Sequence, residues 1–463
     1  MNLQNNKKTT RKLHSLHAGH SSLNLNVRGL NRSATVAINE FSNSLRAQGR
    51  TVYKLGLGQS PFPVPECVVE ALRANAHQKD YLEVQGLRQL RQAVADFHHR
   101  SDNVRLDPDL VIVGPGSKEL MFLLQVAYYG DLIIPTPCWV SYAPQAQIVG
   151  HRVMFVPTRF EDRFRLMPKM LETICAADPE RPRAVVLNYP GNPDGLTYSE
   201  KELKKLAAVA RKYDLILLAD EIYGKINHEG NHVSVARFYP EGTILSSGLS
   251  KWCGAGGWRL GTFAFPRDLK WLLNAVASLA SETYTSTSAP IQHAAVRAFQ
   301  GGEEIDLYLL HVRRILKALG RHVAERLRES GARLHDPEGA FYVFPDFSPI
   351  ADKLEGRRIH GSQDLCRRAL EETGVAFLPG ADFGRPPSEL TARIAYVDFD
   401  GAAALAAAAA RPIDQDIDQT FLRQHCADTL TAVDRLCLWL TKKPSRKRAN
   451  HHPDDAKEQE NIS

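Results

Sequence analysis

The sequence predicts an α/β protein: a large unit built on a largely parallel sheet, followed by a smaller α+β unit. Short β-branched runs alternate with helix-like segments through the middle of the chain, at 110–113, 132–134, 153–156, 184–187, 215–219 and 243–246. After about residue 330 this alternation gives way to mixed short elements. They close on a predicted amphipathic helix in which Leu422, Cys426, Leu430, Val433, Cys437 and Leu440 recur at spacings of three and four. A length of 463 residues suits one large and one smaller domain with a sizeable core.

The ends differ from the middle. Residues 1–30 contain no Asp or Glu and no apolar run long enough for a secretory signal, which predicts a mobile arm. The arm is rich in Asn and has only Arg11 and Arg28 as arginines, which argues against a mitochondrial transit peptide. Residues 442–463 carry a basic cluster with Pro444 and Pro453 and are expected to form a disordered, solvated tail.

Composition excludes several classes. Hydrophobic residues make up 43% and charged residues 24%, an ordinary globular mixture. The longest apolar run, 402–410, falls well short of the roughly 20 residues a membrane helix needs, and predicts a surface helix. Lys and Arg exceed Asp and Glu by only 58 to 52, too mild a surplus for a nucleic-acid partner. The seven cysteines are scattered, with no CxxC pair or zinc-ligand spacing, so no metal site is expected and a reducing compartment, the cytoplasm, fits best.

Taken in order, the elements deliver chemistry at their ends. The strand at 110–113 runs into Gly116-Ser117-Lys118, with a helix expected to open at Glu119. The strand at 184–187 runs into Asn188-Tyr189-Pro190-Gly191-Asn192-Pro193-Asp194-Gly195, whose prolines and glycines fix a turn. Ser199 and Glu202 form a capping-box pattern that starts a helix reaching about Tyr213. The next strand ends in Asp220-Glu221-Ile222-Tyr223, placing an acid where open α/β sheets bind ligands. The strand at 243–246 leads into Ser246-Ser247-Gly248-Leu249-Ser250-Lys251 and on to Gly256-Gly257-Trp258-Arg259-Leu260-Gly261. Its lysine precedes the glycines, the reverse of a P-loop, and it lacks the third glycine of a dinucleotide fingerprint. Each segment alone is an ordinary strand-to-helix loop.

In this order the segments resemble the fold type I pyridoxal-phosphate enzymes, specifically the class I/II aminotransferases, over roughly residues 32–440. The resemblance implies an aspartate-aminotransferase-like fold, with a mostly parallel seven-stranded sheet flanked by helices plus a smaller α+β domain. It divides the chain into 31–80, contributing to the small domain and substrate entrance, 81–330 as the cofactor-binding domain and 331–441 as the small domain. It implies pyridoxal 5′-phosphate carried by Lys251 as a Schiff base, and that lysine needs burial and neighbouring positive charge, Arg259 in the matched motif, to lower its pKa. Asp220 would hold the pyridine nitrogen protonated, and Asn192 and Tyr223 would hold the phenolic oxygen.

The phosphate would take Gly116, Ser117 and Lys118, with Arg259 and either Ser247 or Ser250. Trp139, in Pro137-Cys138-Trp139-Val140-Ser141-Tyr142, fits the ring-stacking position, while Cys138 replaces a residue often aromatic in the family. Tyr81 resembles the tyrosine that reaches the neighbouring subunit's phosphate, implying a homodimer with shared active sites. Gly58 lines the substrate entrance, allowing close backbone approach. Arg393, opening a late strand, would bind the substrate α-carboxylate. Glu221 faces the opposite side if the strand continues, and receives no role.

The implied activity is ping-pong transfer of an amino group between an L-amino acid and a 2-oxo acid. A carbon–sulfur lyase or cyclopropane-carboxylate synthase would share these motifs. A non-catalytic cofactor sensor fused to a DNA-binding module is disfavoured by the short, weakly basic arm. The residues do not single out a substrate; Lys118 and His293 are bases available for a second carboxylate.

Overall fold

The computed structural model describes residues 23–30 and 32–442; the arm through residue 22 and the tail from residue 443 lie outside the described residues. The end of the expected arm is held. Asn24 caps a short turn at Leu25–Val27, and the Asn26 side chain donates to the Ile148 carbonyl at 3.2 Å, on the helix Tyr142–Val149. Of the expected arm, residues 23–30 are described, and they meet the large unit through Asn26.

The large sheet has seven strands in the spatial order Val111–Gly114, Gly261–Ala264, Thr243–Gly248, Ile216–Asp220, Arg183–Asn188, Asp131–Thr136 and Val153–Pro157. All pairings are parallel except the two made by Gly261–Ala264. That antiparallel strand is the one absent from the sequence expectation, hidden in the continuation of the glycine-rich segment. Successive residues along each strand feed opposite faces. Val185, Leu187, Leu217 and Ala219 enter the core shared with the helices Arg88–Asp102 and Glu303–Glu329. Ala184, Val186, Ile216 and Leu218 enter a second core with Ser117–Ala127 and Lys270–Ser281.

The capping box at Ser199 forms, its hydroxyl accepting from the Glu202 N–H while the Glu202 carboxylate accepts from the Ser199 N–H, and starts the helix Glu200–Lys212. Beyond residue 330 a three-stranded antiparallel sheet joins Leu378–Pro379, Ala392–Ala395 and Tyr342–Val343. Tyr53–Lys54 pairs in parallel with Val375–Ala376, bringing the N-terminal segment to this side. The alanine run is the helix Gly401–Ala409, capped by Asp400, with Ala404 and Ala408 inward. The last predicted helix is two, Gln419–His425 and Ala427–Thr441. Cys426, at φ −126°, turns the chain between them, so Phe421 and Leu422 reach the core from one helix and Leu430 and Val433 from the other. Among the described residues no helix is long and apolar enough to cross a membrane.

Candidate active site

The C-terminal ends of Val111–Gly114, Arg183–Asn188, Ile216–Asp220 and Thr243–Gly248 converge on a cavity of about 440 Å³. Asp220, the last residue of its strand, lies at the cavity wall and is 3% exposed. Tyr142 Oη donates to one carboxylate oxygen at 2.5 Å and Ser246 Oγ to the other at 3.4 Å. Burial pushes the Asp220 pKa up to about 6, against the pull of these donors.

Lys251 enters the same cavity and donates from Nζ to the Gly58 carbonyl at 2.7 Å. Burial lowers its pKa to about 8, and the largest cationic effect comes from Arg393, with those of Arg259 and Lys118 smaller. The sequence motif points to Arg259 as the charge beside Lys251; in the fold the arginine of the late strand acts more strongly. Tyr223 and Phe341 present their rings 5.7 Å and 5.9 Å from the ammonium.

Arg393 is 1% exposed, not a solvated edge residue. Its Nη1 donates to Asn192 Oδ1 at 2.9 Å, its Nη2 donates to the Gly56 carbonyl, and its Nε is buried without a hydrogen-bond partner among the described residues. Asn192 Nδ2 lies 3.5 Å from the Tyr223 hydroxyl, which meets the Tyr342 hydroxyl at 2.9 Å. Asn188 orders this corner, accepting from the Asn192 N–H at 2.8 Å and donating to the Asp220 carbonyl at 2.8 Å. A Cβ at Gly58 would collide with the Tyr342 hydroxyl, so the close approach is real.

The helix at the cavity opens at Ser117, two residues earlier than expected, with Gly116 before it at φ 94°. First-turn residues Ser117 and Lys118 line the cavity, as do Ser250, Arg259 and Trp139. Gly116 lies outside the lining but its Cα faces the Arg259 guanidinium, whose Cζ would be 2.9 Å from a Cβ there. Arg259 holds a left-handed φ of 55°, the kind of strain that a functional loop retains. Between the two serines, Ser250 reaches the cavity; Ser247 is buried in its strand and is not part of the lining. Lys118 has no hydrogen-bond or ion-pair partner for its ammonium among the described residues and stands 5.1 Å over the Trp139 ring; burial lowers its pKa. Tyr81 is outside the cavity of its own chain and 90% exposed.

Sequence reasoning missed several residues here. Tyr142 lies in the segment quoted for Trp139, and its position at the start of a helix beside that ring was the available signal. Asn188 and Ser246 open two of the segments quoted above but receive no role there, while Tyr342 and the cavity-lining Thr35 carry no motif that marks them.

The sequence profile described as aminotransferase class I and II matches residues 50–408. The chain belongs to the class I and II aminotransferase family. It is 32% identical over 370 residues to an aspartate aminotransferase of Bacillus subtilis, covering 78% of this chain and 91% of the relative. It is 34% identical over 368 residues to an aspartate/prephenate aminotransferase of Thermus thermophilus, with 78% and 91% coverage. The solved aspartate aminotransferase from Thermus thermophilus with maleate superposes with a TM-score of 0.76 at 30% identity, covering 90% of this chain and 99% of that one. The chain is thus an aminotransferase with the aspartate-aminotransferase-like fold.

Proposed function

We propose that this aminotransferase uses pyridoxal 5′-phosphate and moves an amino group between a dicarboxylic L-amino acid and a 2-oxo acid. The observation that carries the reading is a single cavity holding Lys251, shifted to about 8, Asp220, shifted to about 6, and Arg393 with an unpartnered Nε. This donor set fits the cofactor. Lys251 would hold it covalently, Asp220 would accept from its ring nitrogen, and Asn192 with Tyr223 would serve its phenolic oxygen. Its phosphate would meet the first turn of Ser117–Ala127 with Ser250 and Arg259, and Trp139 would cover the ring. When bound, the cofactor supplies an electron sink for the substrate α-carbon.

The chain's own residues do the rest. Lys251, with a pKa near neutral, is suited to take a proton at the α-carbon and return one to the adjacent cofactor carbon. Arg393 Nε needs an acceptor, and a carboxylate answers it. Lys118 supplies a second cation on the cavity wall whose ammonium has no hydrogen-bond or ion-pair partner among the described residues, which supports a substrate with a second carboxylate, as do relatives named for aspartate. The same proposal includes a homodimer in which the exposed Tyr81 reaches the partner's cofactor, a division into large and small domains near residue 330, and a cytoplasmic setting. Seven free thiols support the last.

The test is an absorbance spectrum of the cofactor-loaded protein with single amino acids. A band near about 400 nm that moves toward about 330 nm with aspartate or glutamate, and returns with 2-oxoglutarate, is expected. Absence of a visible band in folded protein supplied with cofactor would overturn the reading.

A further inference from the structure

The strand that carries Asp220 ends with it. Its Cα partners are Asn188 and Ser246, and the next residue keeps an N–H bond to the Ser246 carbonyl at 3.1 Å. The chain then turns, Gly224 N–H donating to the Glu221 carbonyl at 2.8 Å, to bring Tyr223 to the cavity. Between these two cavity residues lies Glu221, which is outside the cavity and buried on the other side.

Both oxygens of Glu221 are filled. Oε1 accepts from Tyr189 Oη at 2.8 Å and from Ser234 Oγ at 2.8 Å; Oε2 meets His232 Nε2 at 2.9 Å. The Tyr189 hydroxyl also accepts from the Val235 N–H at 2.7 Å. The Glu221 and His232 side chains are 3% and 5% exposed. The His232 ring packs on Gly224, where a Cβ would come within 2.9 Å of it. Lys225, one residue on, pairs with buried Asp102 at 2.6 Å, which also meets His98 at 2.7 Å.

We infer that Glu221, with Tyr189, His232 and Ser234, is a positioning device for Asp220 and Tyr223. It fixes the turn joining them where the sheet ladder stops, and through Tyr189 ties that turn to the loop carrying Asn192. A buried carboxylate is a costly way to pack space that an apolar side chain could fill, whereas one with both oxygens hydrogen-bonded is held in one geometry; of the cluster's polar atoms, His232 Nδ1 is buried with no hydrogen-bond partner among the described residues. Glu221 is not part of the cavity lining, so it acts through its neighbours. The inference rests on the proposed role of Asp220 and Tyr223 as cofactor-facing groups.

The experiment compares wild type with Glu221→Gln, His232→Asn, Tyr189→Phe, Ser234→Ala and the Tyr189→Phe/Ser234→Ala pair. It reads cofactor dissociation constant, kcat, KM and cofactor-free melting. Glu221→Gln and the double variant should weaken cofactor binding and lower kcat by about tenfold or more each, with KM changed by less than about threefold. If Glu221→Gln fails to fold, the hydroxyl variants, which leave the carboxylate in place, decide. Variants that melt earlier but keep wild-type kcat and cofactor affinity when folded would reduce the network to a structural one and overturn the inference. A wild type that takes no cofactor would sink the proposed function and this inference together; normal wild-type loading with indifferent variants would sink the inference alone.

Discussion

Replacing Asp220 by Asn should make the cofactor-free protein more stable at neutral pH while removing its activity. Burial raises this carboxyl from its ordinary 3.8 to about 6, even with Tyr142 and Ser246 donating to it. Its folded pKa therefore stands above the unfolded one. Below about pH 4 both states are protonated and the group is indifferent. Between about pH 4 and 6 the unfolded chain gives up its proton first, so stability falls as pH rises and the full penalty stands above pH 6. About two pH units at about 1.4 kcal/mol each amount to roughly 3 kcal/mol at pH 7.5, and about half of that at pH 5. Asparagine has the same size, stays neutral and can accept from the Tyr142 hydroxyl. Urea unfolding of cofactor-free wild type and variant at both pH values should show the variant more stable by about 2–3 kcal/mol at pH 7.5, with a smaller gap at pH 5. Amino transfer by the loaded variant should fall by about a hundredfold or more, since a neutral amide cannot hold the ring nitrogen charged. A variant less stable than wild type at pH 7.5, or a gap indifferent to pH, would refute the reasoning.

Other substitutions probe the walls. Lys118→Ser should cut kcat/KM for aspartate by about 10- to 100-fold, the range of a lost charge-assisted hydrogen bond, and leave a monocarboxylic substrate within about threefold; equal losses on both would remove Lys118 from substrate recognition. Arg393→Lys keeps the charge but not the fork that also binds Asn192 and the Gly56 carbonyl, and should lower kcat/KM by about a hundredfold, measured by steady-state kinetics. Gly58→Ala puts a methyl 2.7 Å from Tyr342 Cζ, in a position where Tyr342 also bonds Tyr223; an overpacking cost of about 1–3 kcal/mol should appear in thermal melting together with slower turnover.

The parts of the site legible in the sequence share one property. Asn192, Asp220 and Lys251 each follow an apolar run within a few residues, and parallel strands bring such ends together. Arg393 is legible only through the family pattern, since an arginine opening a short strand says nothing about burial. Tyr342 belongs to a two-residue strand and Thr35 to a helix ahead of the matched profile, so neither has a local signature. The choice between Ser247 and Ser250 turns on where the strand ends: it runs to Gly248, leaving Ser247 inside the sheet and Ser250 beyond it. The strand Gly261–Ala264 is four residues long and antiparallel, with glycines before it that mask a β pattern. The break at Cys426 has no glycine or proline to announce it, and a spacing of three and four reads through it unchanged.

The central claim is that Lys251 is the residue that holds the cofactor. Borohydride reduction of the loaded protein, followed by proteolysis and mass mapping, tests it directly. The account predicts one cofactor-derived mass addition, on the peptide containing Lys251, and none in Lys251→Ala. Stable labelling of another lysine in the wild type, or undiminished labelling of the variant, would contradict it.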